Sequence, residues 1–205
     1  MIYCVITNRP EFLDFAVAQS KKCKGVELVI LANGPAFENV ENSKGFYYKP
    51  EWRYSADAFN WFRENYPVDD DLFLMDDDIF LNHDVCEESL TWLKKGFDRV
   101  VYTSVFLRSL AENKTVRTTW KSRQVGGAWA MAGHLWRAEK WPDWPKGAML
   151  RYFNDLPEHN IKMITKPRIT HLIHDKNIVL NSSHFKGEHV ENDPQLTKEL
   201  SLINQ

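Results

Sequence analysis

The chain has 205 residues, 43% of them apolar and 26% charged, with a formal net charge of −2. That length suits one domain with a real core, and the near-neutral balance excludes a global positive field that would draw the chain onto nucleic acid or a membrane surface. No apolar run approaches the roughly 20 residues needed to cross a bilayer.

The opening MIYCVITNRP lacks a charged leader and a cleavage site, so the expectation is a protein of the reducing cytoplasm with no signal peptide. Cys4, Cys23 and Cys86 are too few and too scattered to predict a disulfide framework or a zinc site, and Cys4 and Cys23 fit small core positions. Residues 2–6 form a continuous apolar run, as expected of a strand covered on both faces. It stops at Thr7-Asn8-Arg9-Pro10, and Pro10 suits the first turn of a helix in which Phe12, Phe15, Ala16, Gln19 and Cys23 share a stripe. Gly25 closes that helix, and residues 27–31 form a second buried strand ending at Asn33-Gly34-Pro35. This βαβ opening predicts a parallel sheet with right-handed crossovers.

Residues 35–49 are polar and predict a loop with a short strand at 46–48, followed by a helix over 55–66. Asp69-Asp70-Asp71 then precedes the apolar run 72–75, which leads directly into Asp76-Asp77-Asp78. Asp84 and Glu87 form a capping arrangement before a helix bearing Leu90 and Leu93. The second half is less regular. It predicts a strand over 100–107, a polar basic connection over 110–124, and a strand over 126–133 thinned by small residues. An aromatic, proline-bearing loop over 136–145, a helix over 148–159, strands over 161–165 and 168–173, and a polar tail after Asn181 complete the chain.

Strands in open α/β sheets end at the ligand crevice, and Asp76, Asp77 and Asp78 stand at the end of such a strand. Adjacent carboxylates about 4 Å apart repel one another by about 1 kcal/mol per pair in water, and more when partly buried. A divalent cation removes that penalty, and oxygen ligands suit Mg²⁺ or Mn²⁺, ions that also bind substrate phosphates. Asp76 and Asp78 are expected to converge on the ion, with Asp77 pointing elsewhere. The competing reading is a solvated acidic turn, which fits Asp69-Asp70-Asp71 at the opposite end of the strand.

The order Val5-Ile6-Thr7-Asn8-Arg9-Pro10, then Ala32-Asn33-Gly34, then Phe73-Leu74-Met75-Asp76-Asp77-Asp78 resembles the GT-A nucleotide-diphospho-sugar transferases, especially those related to family 2 glycosyltransferases. The resemblance covers residues 1–90 well and 125–175 loosely. It implies one α/β domain over 1–205, with a central, mostly parallel mixed sheet flanked by helices. Residues 1–90 would be the nucleotide-sugar and metal-binding half, 91–180 the acceptor half, and 181–205 a polar tail. Thr7, Asn8, Arg9, Asn33, Arg53, Asn60, Asp76 and Asp77 would contact the nucleotide sugar, and Asp76, Asp78 and His174 would bind Mn²⁺ or Mg²⁺. In a regular strand His171 and His174 point to opposite faces, so one ion takes one of them.

Family members often carry an acidic pair after a Gly-rich acceptor segment. This chain has the single Asp143 there and Asp155 further along, so these two are the candidates for a catalytic base. Gly126, Gly127, Trp141 and Trp144 would line the acceptor. The implied activity is transfer of a sugar from a nucleoside diphosphate donor, such as a UDP-sugar, to an acceptor hydroxyl. Two alternatives remain. Lys114, Arg117, Lys121 and Arg123, with Trp120 among them, would suit a DNA acceptor bearing a modified base. The same carboxylates would also suit a nucleotidyltransferase-like or purely metal-binding module.

Overall fold

The computed structural model describes residues 1–40, 44–119, 127–138, 140, 160–175 and 187–203. β1 (Ile2–Thr7) is buried at every position, as its unbroken apolar run demands. Pro10 opens a 3-10 turn (Pro10–Phe12) that continues into α1 (Leu13–Ser20), and the chain returns through β2 (Glu27–Ala32). β3 (Phe46–Tyr48), α2 (Ser55–Asn65) and β4 (Leu72–Asp76) follow. β1 pairs in parallel with both β2 and β4, and β2 with β3.

β6 (Arg99–Tyr102), β9 (Ala128–Met131) and β10 (Ile161–Ile164) complete a seven-stranded sheet in the order β10-β6-β9-β4-β1-β2-β3. β9 runs antiparallel to β4 and β6, and β10 runs parallel to β6. α2 packs on β1 and β2, while α3 (Val85–Leu93) packs on β6 and β9. The molecule is thus an α/β fold with a mixed, mostly parallel central sheet flanked by helices. Asp84 caps α3 by accepting a hydrogen bond from the Glu87 backbone N–H at 3.0 Å.

A second sheet, not foreseen from sequence, has the order β12-β8-β7-β11-β5. It contains β5 (Ile79–Leu81), β7 (Ser104–Ser109), β8 (Lys114–Thr119), β11 (Ile169–Ile173) and β12 (Glu188–Val190). Alternation sorts its side chains. Ile79, Leu81, Ile169 and Ile173 join the main core, while Phe80 and Leu172 meet Phe12, Phe15 and Leu196 on the other face.

Several sequence expectations are corrected here. The strand expected over 100–107 is two strands, because the chain leaves the first sheet after Tyr102 and enters the second at Ser104. The polar connection over 110–124 contains β8, whose Thr-Val-Arg-Thr run suits a half-covered strand. Trp136 belongs to α4 (Gly133–Ala138) rather than to a loop, and its ring is fully buried. The polar tail carries β12 and α5 (Pro194–Glu199), the latter capped by Asp193 with Pro194 in its first turn. Cys23 and Cys86, far apart in sequence, come together in space beside Asp84. The helix expected over 148–159 lies outside the described residues.

Candidate active site at the sheet junction

In the central sheet the strand order reverses between β1 and β4, and in open α/β sheets ligands bind at the carboxyl ends of strands flanking such a reversal. Thr7 ends β1, Ala32 ends β2 just before Asn33, and Asp76 ends β4. Asp77 and Asp78 form the turn that carries the chain from β4 in the first sheet to β5 in the second. The backbone is pinned from three sides. Asp76 N–H donates to the Gly127 carbonyl at 2.6 Å, Leu172 N–H to the Asp78 carbonyl at 2.9 Å, and Asn33 N–H to the Thr7 carbonyl at 2.8 Å.

Arg9 lies among these carboxylates. Its guanidinium holds both oxygens of Asp77, with Nε 3.1 Å from Oδ2, and Nη2 stands 3.0 Å from Asp78 Oδ2. Nη1 is 2.7 Å from His174 Nε2, which in turn is 3.3 Å from Asp78 Oδ2. Thr7 Oγ1 donates to Asp77 and accepts from the Arg9 backbone N–H at 3.0 Å. Phe12 braces the group, with its ring 4.8 Å from the Arg9 guanidinium carbon and its centroid 4.8 Å from that of His174.

Asp77 therefore does not point elsewhere. Strict alternation ends with β4 at Asp76, and the turn between sheets aims Asp77 back toward β1. His171, on β11, is paired with Ile79 just after the aspartates. A Cβ on Gly127 would stand 2.4 Å from His171 Cε1 and 3.1 Å from Asp76 Oδ2, so His171 and Asp76 share the neighbourhood of Gly127. Gly127 also has φ +81°, a conformation that L side chains rarely adopt. No local sequence signal marked the Arg9–Asp77 pairing or the packing of Phe12 on His174, since each joins residues distant in the chain.

The charges are unevenly compensated. Burial pushes the Asp76 carboxyl up to about 7, and the negative Asp78 and Asp77 push it further than Arg9 pulls it back. Burial also raises Asp77, against the opposing charge and hydrogen bonds of Arg9. At Asp78 burial is outweighed by the His174 hydrogen bond and by the charges of Arg9, His171 and His174, which hold its carboxyl well below the usual range. Burial pulls Arg9 down, but Asp78 and Asp77 override it and keep the guanidinium firmly protonated.

The remaining expected residues are dispersed. Asn33 is buried after β2, and Asn8 is exposed beside Gly34. Arg53 is exposed ahead of α2, where its backbone N–H donates to Asp57 Oδ2 at 2.8 Å, and Asn60 lies on α2. Lys114 stands 3.8 Å from Glu112, and Arg117 is in register with Glu188 of β12, so this part of the basic segment faces acidic neighbours. Gly126, Trp120, Lys121, Arg123, Trp141, Asp143, Trp144 and Asp155 lie outside the described residues. No helix among the described residues is long and apolar enough to cross a membrane.

Fold and site together define an α/β protein with an acidic, arginine-bridged crevice at the reversal of its central sheet. No protein-family model matches the chain, and no curated protein matches it. Among solved structures it is similar in chain path to HddC from Yersinia pseudotuberculosis, at 10% identity and a TM-score of 0.49, over 80% of this chain and 89% of that one. It is also similar to A197 from STIV, at 14% identity and a TM-score of 0.45, covering 80% and 81% of the two chains. The 4-diphosphocytidyl-2C-methyl-D-erythritolsynthase from Anaerococcus prevotii aligns at 11% identity with a TM-score of 0.49, covering 80% and 86%.

Proposed function

We propose that the chain is a metal-dependent glycosyltransferase that takes a sugar from a UDP-sugar and passes it to an acceptor hydroxyl. One observation carries the reading: the carboxylates of Asp76, Asp77 and Asp78 and the Arg9 guanidinium gather at the carboxyl ends of β1 and β4, where the strand order reverses.

The Asp76 carboxyl is pushed up to about 7 by burial and by its acidic neighbours, a penalty that an added cation would relieve. Among the described residues the ligating trio that converges within 4.8 Å is Cys23, Asp84 and Cys86, so an ion at the crevice would require Asp76, Asp78 and His174 to draw together. Asp76, Asp78 and His174 would hold Mn²⁺ or Mg²⁺, with the mixed oxygen and imidazole donors favouring Mn²⁺. Bound there, the ion would neutralise charge on the departing diphosphate.

The chain's own groups supply the rest. The Arg9 guanidinium, a planar fork of the kind that suits phosphate oxygens, is held by Asp77, Asp78 and His174 and would have to give up some of these partners to meet a diphosphate; Thr7 fixes its backbone. Asn33, with Asn8, Arg53 and Asn60, would contact the nucleoside or sugar, as the family resemblance implies. The same resemblance assigns Gly126, Gly127, Trp141 and Trp144 to the acceptor and Asp143 or Asp155 to the base that takes the acceptor proton.

The test is product analysis with purified chain, Mn²⁺ and a panel of nucleotide sugars. Metal-dependent release of UDP, absent in Asp78→Ala, is the expected result. Pyrophosphate release from a nucleoside triphosphate with no turnover of nucleotide sugars would replace glycosyl transfer with nucleotidyl transfer at the same carboxylates. Undiminished turnover by Asp78→Ala would overturn both.

A further inference from the structure

A second side-chain cluster lies away from the crevice. Cys23, Asp84 and Cys86 each bring one ligand atom to within 4.8 Å of the other two. Cys23 follows α1, while Asp84 and Cys86 open α3, so the fold joins segments some sixty residues apart. Both thiols are buried and free. Asp84 uses Oδ1 to cap α3, accepting from the Glu87 N–H at 3.0 Å. Its Oδ2 is buried and, among the described residues, accepts no hydrogen bond. A buried carboxylate oxygen without a donor is costly and calls for a cation or a proton.

We infer that Cys23, Cys86 and Asp84 form a binding site for a thiophilic divalent metal, with Zn²⁺ as the occupant. Two thiolates and a carboxylate are ligands that Zn²⁺ takes in tetrahedral sites, at about 2.3 Å for sulfur and about 2.0–2.2 Å for oxygen. Those bond lengths place neighbouring ligand atoms nearly 4 Å apart in a tetrahedron, within the spacing observed here. The division of labour at Asp84 follows from geometry: one oxygen caps the helix, and the other remains for the ion.

Asp84 also lines a cavity of about 250 Å³ with Lys22, Asn82 and the exposed His83. Zn²⁺ would release the thiol protons on binding. Burial, the hydrogen bond with Cys23 and the nearby charges of Cys23 and Asp84 all hold the Cys86 proton on when no ion is present. The site is chemically distinct from the aspartate crevice, whose donors are carboxylates and imidazole, and it does not depend on the glycosyltransferase reading.

The experiment is a Co²⁺ titration of the fully reduced, full-length chain, followed by Zn²⁺ competition. One equivalent of Co²⁺ should produce a near-ultraviolet thiolate charge-transfer band with strong visible tetrahedral bands, both bleached by Zn²⁺. Cys23→Ser and Cys86→Ser should each weaken binding by at least about 100-fold, beyond the 10–100-fold that loss of an outer partner costs. Asp84→Asn should weaken it while the thiolate band remains, and Asp78→Ala should leave it unchanged. Should a serine variant fail to fold, zinc X-ray absorption on the unaltered chain reads the ligand shell directly. A sulfur shell at about 2.3 Å supports the site, and an all-oxygen/nitrogen shell overturns it. Absence of a thiolate band from the reduced chain, or its survival in Cys23→Ser and Cys86→Ser, also overturns it.

Discussion

Two runs of three aspartates flank β4, and they meet opposite fates. Asp69-Asp70-Asp71 precedes the strand and serves as scaffold. Asp71 Oδ1 accepts the Gly133 N–H at 3.1 Å, the Asp70 carbonyl accepts Trp136 Nε1–H at 2.8 Å, and the exposed Asp69 pairs with Arg137 at 2.7 Å. Asp76-Asp77-Asp78 follows the strand, and there Asp77 and Asp78 are buried against Thr7, Arg9 and His174. Identical chemistry thus becomes an N-terminal brace in one place and a strained charge cluster in the other. The difference lies in which end of a parallel strand carries it, because the crevice opens at the carboxyl ends.

The contrast breaks most sharply in activity. Asp78→Ala should lower metal-dependent turnover by at least about 10²–10³-fold, as expected for loss of a group that stabilises developing charge. Asp70→Ala should leave turnover unchanged. UDP release under saturating donor measures both.

Each triplet also has a glycine pressed against it, which makes a matched pair for stability. A Cβ on Gly133 would lie 1.8 Å from the Asp69 carbonyl oxygen, and one on Gly127 would lie 2.4 Å from His171 at a strained φ of +81°. Alanine at either position should cost about 1–3 kcal/mol in thermal or urea unfolding, with Gly133 the costlier because its obstacle is backbone. Only Gly127→Ala should also depress turnover, since it displaces His171 and Asp76.

Electrostatics give a third separation. The Asp76 carboxyl titrates near an ordinary 3.8 in the unfolded chain and about 7 when folded, so the folded state binds more protons between those values. Stability should therefore fall as pH rises from about 4 to about 7 and level off above, and Asp76→Asn should remove most of that slope. Mn²⁺ favours the ionised form, so its stabilising effect should grow over the same interval. Melting temperatures across pH, with and without Mn²⁺, measure both effects.

The smallest effects belong to the scaffold triplet. Asp69→Ala should change stability by no more than about 0.5 kcal/mol, because its ion pair is exposed. Arg137→Ala should cost about 1–3 kcal/mol, since Arg137 also donates to the carbonyls of Arg63, Tyr66 and Val68. Denaturant unfolding of the two variants separates them.

The first half of the fold was legible because its signals are local. The apolar runs of β1, β2 and β4 and the helical stripe of α2 announce buried strands and a covered helix within a few residues. The second sheet was not, because β8 buries little beyond Thr115 and Val116, and β12 is three residues long. Asp193-Pro194 did carry a helix-start signal for α5, although the polar composition around it read as a tail. At the crevice, the position of the carboxylates followed from the strand before them. Their partners did not: Arg9 and Asp77 are 68 residues apart, and Arg9 and His174 are 165 apart, with nothing in the chain linking them before it folds.

Calorimetric titration of UDP into the chain in saturating Mn²⁺, repeated with Asp78→Ala and Asp70→Ala, tests the central claim most directly. The account predicts one UDP site, dependent on Mn²⁺, that is lost in Asp78→Ala and untouched in Asp70→Ala. Equal binding by Asp78→Ala, or UDP binding indifferent to Mn²⁺, would contradict it.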